Sequence, residues 1–135
     1  MSLVVTQRAL AALAACAVLG GGAAAAAGAT SRKPQKVRVG VFDNYYKAAR
    51  SPAGKLTVSR NSSVTFVWGD TVADVHDVRL LKGPKGVKGF TSDPSAAGFE
   101  YRNRTLRKLT KPGIYRFICT FHESDGMTFT LTVRH

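Results

Sequence analysis

Short runs in which apolar and polar residues alternate, each closed by Gly, Pro or Asn, constrain this chain more than any other feature. Val37, Val39 and Val41 alternate within Lys36 to Phe42, Leu56 and Val58 within Lys55 to Arg60, and Val64, Phe66 and Trp68 within Ser63 to Trp68. Met127, Phe129, Leu131 and Val133 do the same at the end of the chain. Successive side chains of a strand point to opposite faces, so a period of two marks strands that bury one face and wet the other. A further strand is expected over His76 to Leu81, one or two edge strands within Phe99 to Leu109, and another over Ile114 to Cys119, after the Lys111-Pro112-Gly113 turn. Asp43 to Lys55, with Asn44, Pro52 and Gly54, reads as an irregular connection holding one helical turn. No sustained helical period is present. Seven or eight short strands separated by turn residues predict an all-β fold, a β-sandwich of Greek-key type.

The first 29 residues read as a targeting segment. Arg8 supplies the positive charge, Ala9 to Leu19 the apolar run, and Ala27-Gly28-Ala29 a small-residue cleavage site before Thr30. The expectation is export to the extracellular space, the periplasm or the cell envelope. Residues 30–36 form a polar, basic leader expected to be mobile, and residues 37–135 form one domain. Two other readings compete for the leader. A transmembrane helix is poorly served by a stretch made mostly of Ala and Gly. Leu13-Ala14-Ala15-Cys16 resembles a lipobox, which would make Cys16 a lipidated first residue, but the sequence after Cys16 stays apolar.

With Cys16 removed, Cys119 is the one thiol of an exported protein, and it has no partner for a disulfide. It stands in Cys119-x-x-His122-x-x-x-x-Met127, on a short loop between the last two strands. Strand phase places Cys119 on one face with Tyr115 and Phe117, and Met127 with Phe129, Leu131 and Val133. His76 shares a face with Val78 and Leu80, while Asp77 and Arg79 are expected to point away. All three groups therefore sit on inward phases at strand ends. His122 can reach back from the loop, and His76 joins them if its strand runs antiparallel to its neighbour. A thiolate, two imidazoles and a thioether form a soft donor set, and copper is the metal that prefers it. The alternative is a buried cysteine acting as a small hydrophobe, which leaves His122 and Met127 unexplained.

The sequence resembles the plastocyanin family of cupredoxins. The likeness runs from Lys55-Leu56-Thr57-Val58 and Ser63 to Trp68, through Val75-His76-Asp77-Val78, to Pro112-Gly113-Ile114-Tyr115 and the Cys119 to Met127 loop. The resemblance implies one copper ion cycling between Cu(I) and Cu(II), with His76, Cys119 and His122 as strong ligands and Met127 as the long axial one. It implies one-electron transfer without substrate chemistry, with the ring of His122 beside Phe121 as the electron port. A copper-storage or copper-handling protein would use the same ligands, and a metal-free structural sandwich is a third reading. The family commonly has Asn after the upstream histidine, whereas this chain has Asp77. A carboxylate there can accept from the Thr120 hydroxyl and from nearby backbone N–H groups but cannot donate.

Charge limits the partners. The chain carries 20 Lys+Arg against 8 Asp+Glu, a formal +12, and losing Arg8 leaves +11. Such an excess attracts anionic wall polymers, lipid headgroups or an acidic redox partner, or it merely keeps a monomer soluble. Nucleic acid is not expected as a partner, because the aromatics that would stack on bases sit at core phases. Trp68, in phase with Val64 and Phe66, reads as core.

Overall fold

The computed structural model describes residues 33–135, so the leader assigned to residues 1–29 lies outside the described residues. Eight strands and one helical turn follow in chain order: β1 (Lys36–Phe42), β2 (Tyr45–Ala48), β3 (Lys55–Ser59), β4 (Ser63–Trp68), β5 (Arg79–Lys82), β6 (Glu100–Tyr101), α1 (Arg104–Arg107), β7 (Gly113–Ile118) and β8 (Thr128–Arg134). They form two four-stranded sheets, one in the order β2-β1-β4-β6 and the other in the order β3-β8-β7-β5. Both sheets are mixed, with β1 parallel to β4 and β3 parallel to β8. The chain crosses between the sheets instead of running up and down within one, as the sandwich reading anticipates.

Alternation decides which face is buried. In β4 the residues Val64, Phe66 and Trp68 are buried, and in β8 Phe129, Leu131 and Val133 are. The inner faces meet in an aromatic cluster in which Phe66 contacts Phe117, Phe129 and Tyr46 edge-on, with centroids 5.4, 5.8 and 5.9 Å apart. Such edge-to-face contacts add about 0.5–1.5 kcal/mol per pair beyond area burial.

Three segments differ from the sequence reading. Asp43 to Lys55 holds a strand, β2, and no helical turn: Asn44 adopts a positive φ of 67° and reverses the chain, so that Tyr45 to Ala48 pair back onto β1. Asn tolerates this region because its short polar side chain is not β-branched. Tyr46 and Ala48 are fully buried, and this two-residue alternation is too short to stand out among turn formers. Phe99 to Leu109 holds only the two-residue β6, then α1, whose first turn is capped by the Asn103 side chain accepting from the Leu106 amide at 3.0 Å. Leu106 and Leu109 bury completely, which a strand in this position would not achieve.

His76 precedes its strand by three residues and is held by an isolated bridge to Ser95, with two backbone bonds of 2.9 and 3.0 Å. Asp77 is consequently outside the regular pleat, and it is buried instead of pointing away. The end of the basic leader is also tied down: the Ser59 hydroxyl donates to the Lys33 carbonyl at 2.8 Å and the Gln35 amide donates to Ser62 at 2.9 Å.

Candidate metal centre

The start of β5, the end of β7 and the start of β8 meet at one pole. The antiparallel register of β5 and β7 sets Arg79 opposite Ile118, so the chain preceding Arg79 passes beside Cys119. The condition for His76 to share that pole is met. Across the connection to β8, the Cys119 amide donates to the Met127 carbonyl at 3.1 Å, and the Met127 amide donates to the His122 carbonyl at 3.1 Å. The His122 amide turns back onto the Cys119 carbonyl at 3.3 Å. Gly126, at φ 80°, supplies the left-handed residue that lets the loop re-enter the strand at Met127. Backbone bonds thus fix the positions of Cys119, His122 and Met127 relative to one another.

The side chains converge accordingly. Cys119 Sγ lies 3.7 Å from His76 Nδ1 and 3.6 Å from His122 Nδ1, and the donor atoms of these three residues all lie within 4.8 Å of one another. Cys119, His76 and Met127 are fully buried, whereas His122 is half-buried beside the exposed Phe121. A first-row ion about 2.3 Å from a thiolate and about 2.0 Å from an imidazole, at a tetrahedral to trigonal angle, leaves sulfur and nitrogen about 3.5–3.8 Å apart. The observed separations match that spacing. Two imidazole nitrogens turned toward one sulfur, with a buried thioether on the same loop, suit copper better than a hard cation.

The groups around these side chains orient them. Asp77 Oδ1 accepts from the Thr120 amide at 2.7 Å and Oδ2 accepts from the Thr120 hydroxyl at 2.5 Å, which joins the two segments that carry His76 and Cys119. The acceptor role expected of Asp77 toward Thr120 is what the geometry shows. From beneath, the Tyr46 hydroxyl donates to the Asp77 carbonyl at 2.6 Å. Burial first, and the negative Cys119 and Asp77 second, push the ionisation of Tyr46 well above its ordinary 10.0, so it remains a donor.

Asp43 is the functional residue that sequence reasoning missed. Its Oδ1 lies 3.2 Å from His76 Nε2, and the same carboxylate accepts from the amides of Ala73 and Asp74. The Asp74 amide foremost, then the His76 ring, hold the Asp43 carboxyl below its ordinary 3.8. With Nε2 engaged by a carboxylate, Nδ1 is the nitrogen left to face the sulfur. The signal lay in a carboxylate directly after the first strand. Reading it required knowing that β1 and β4 run parallel and end at the same pole.

No protein-family model matches the chain, and no curated protein matches it. Solved structures do. A Cu-containing nitrite reductase from Thermus scotoductus SA-01 matches at 25% identity over 82% of this chain, with a TM-score of 0.55, and the chain spans 25% of that protein's length. A pseudoazurin from Sinorhizobium meliloti matches at 22% identity over 75% of each chain, with a TM-score of 0.53. A Cu(I) form of an amicyanin methionine variant matches at 19% identity over 73% of this chain and 82% of its own, with a TM-score of 0.55. Two mixed four-stranded sheets, the loop that closes them and these neighbours together show that the chain has the cupredoxin fold.

Proposed function

We propose that this protein is a one-electron carrier with a type 1 copper centre held by His76, Cys119, His122 and Met127. The observation that carries the reading is the approach of both Nδ1 atoms to the Cys119 sulfur, at 3.7 and 3.6 Å. Copper, when bound, supplies a reversible exchange between Cu(I) and Cu(II). Everything else is the work of the chain. The bonds of Asp43 to the loop before His76, and of Asp77 to Thr120, hold the donors in place, so little has to move when the charge changes. The burial of Cys119 and Met127 keeps water from the sulfurs. His122, half-buried and next to the exposed Phe121, gives the path to a partner.

The reading assigns no substrate chemistry. It includes an acidic redox protein as partner, matched to the net charge of +12, and export through the leader of residues 1–29. Among the described residues no helix is long and apolar enough to cross a membrane.

Titration of the purified protein with Cu(II) tests the assignment. An intense blue charge-transfer band at one equivalent, reversibly bleached by reductant, is expected, and Cys119→Ser should bind without it. An unchanged spectrum in the Cys119→Ser variant rules out the thiolate ligand. A colourless form that readily exchanges Cu(I) points to metal handling instead of electron transfer.

A further inference from the structure

Away from the metal pole the surface carries a groove of about 650 Å³ lined by Lys88, Arg104, Arg107, Lys108 and Lys111, with the hydroxyls of Thr105 and Thr110 and no carboxylate. All five cations are exposed. Among the described residues, the ion pairs are Arg38 with Glu100 and His76 with Asp43, so none of the five is neutralised. Their like charges repel, so sharing one hollow costs the fold energy.

The frame of the groove is rigid. Arg104 and Arg107 stand on the Asn103-capped turn α1, anchored by the fully buried Leu106 and Leu109. Leu109 bonds through its amide to the Ser62 carbonyl and through its carbonyl to the Asn61 amide, both at 2.9 Å. On the opposite wall Lys111 Nζ donates to the Lys85 carbonyl at 3.0 Å, and the Tyr115 hydroxyl donates to the Lys111 carbonyl at 2.8 Å. Positively charged forks held on a fixed backbone lose less entropy on binding an oxyanion than the same side chains on a free loop.

Position separates this groove from the electron port. Lys111 precedes the start of β7 and Cys119 follows its end, and the six residue steps from Gly113 to Cys119 span about 20 Å of extended strand. A partner seated in the groove leaves His122 free.

We propose that the groove is a docking site for a linear phosphate-bearing polymer, which holds the protein with its metal pole facing outward. Five cations with two threonine hydroxyls along one groove can take several phosphates at once, each held by a guanidinium fork or an ammonium with a hydroxyl alongside. Tyr115 is 1% exposed, so the groove offers no platform on which a nucleic-acid base could stack. Its one apolar side chain besides Tyr115 is Val87, half-buried, so it has nothing to insert into a bilayer. These features favour a phosphate chain without bases or acyl tails over a nucleic acid and over a bilayer.

Long-chain inorganic polyphosphate is the probe, added to the ¹⁵N-labelled protein at near-physiological salt. Amide shifts should concentrate at Lys88, Arg104 to Lys108 and Lys111 and leave Phe121 to Gly126 unmoved. The triple variant Arg104→Gln, Arg107→Gln, Lys108→Gln should bind at least about tenfold more weakly, with a salt dependence lowered by about three charges. A control with the same loss of charge elsewhere, Lys36→Gln, Lys47→Gln, Lys55→Gln, should weaken binding less than about threefold. All six side chains are exposed, and unchanged shifts at the metal pole verify folding. Equal losses in the two variants, or shifts centred on Phe121 to Gly126, overturn the site. Tighter binding to phosphatidylglycerol vesicles or to single-stranded DNA, at equal phosphate concentration, overturns the ligand class.

Discussion

Replacing Asp77 by Asn changes a charge at the candidate metal centre while leaving its contacts almost untouched. The amide oxygen can still accept from the Thr120 amide, now 2.7 Å from Oδ1, and the amide nitrogen can donate to the Thr120 hydroxyl, now 2.5 Å from Oδ2, once that hydroxyl turns its proton away. Shape and volume are conserved, so the main loss is one negative charge. Its distance from the Cys119 sulfur is bounded by the path through Thr120 N and the Cys119 backbone. The 2.7 Å hydrogen bond and four covalent bonds give at most about 9 Å. At an effective dielectric of about 20, a unit charge at that distance interacts with another by about 1.8 kcal/mol. For a one-electron couple, at 59 mV per tenfold, that is about 80 mV. The anion favours the more positive oxidised centre, so its removal should raise the reduction potential by about 80 mV or more. Protein-film voltammetry of the copper-loaded protein and the variant measures the shift. A folded, blue variant whose potential stays the same or falls refutes the electrostatic reasoning.

Two other substitutions test the groups that hold the histidine segment. Asp43→Asn keeps an oxygen for the Ala73 and Asp74 amides but removes the charge beside His76 Nε2. The potential should rise here too, by less than in Asp77→Asn, because Asp43 is open to solvent that screens it; a larger rise than in Asp77→Asn contradicts this ordering. Tyr46→Phe removes the donor to the buried Asp77 carbonyl and should cost about 1–3 kcal/mol in denaturant unfolding; an unchanged midpoint excludes a stabilising role for this bond. Because the folded-state ionisation of Tyr46 lies above the 10.0 of an unfolded tyrosine, its contribution is complete below pH 10 and is lost as pH rises beyond it. Stability should therefore decline above pH 10 more steeply in the parent protein than in Tyr46→Phe, and identical slopes would show that Tyr46 is not involved.

Much of the site was legible because strand phase is a local property. Phe129, Leu131 and Val133 are buried together, and Met127 follows from the same count. The spacing of Cys119, His122 and Met127 is set by one short loop, so nothing distant was needed to bring them together. What escaped depended on pairing across the sheets. β2 is four residues long and is created by pairing with β1, not by propensity, since Tyr46 and Ala48 are its only inward residues. The turn at Arg104 was read as strand because its one buried residue, Leu106, leaves no helical period to recognise, and Leu109 buries from the extended segment beyond the cap. Asp77 was assigned to the outer face by extending the strand too far, and an isolated bridge does not keep the alternation.

Asp43 shows why parallel pairing matters to this site. Cys119 follows β7 and His76 precedes β5, neighbouring antiparallel strands of one sheet, but the carboxylate on the His76 ring follows β1, a strand of the other sheet. It can reach because β1 and β4 run in parallel from Lys36 beside Ser63 to Val41 beside Trp68, which carries Asp43 to the same pole as the loop leading into His76. An antiparallel β1 would deliver the leader end of the strand there instead, with Lys36 in place of Asp43. A cation beside His76 Nε2 would repel a positive centre and could not accept the ring N–H. The orientation of the first strand therefore helps to decide which nitrogen of His76 faces the sulfur, although strand and ring lie more than thirty residues apart.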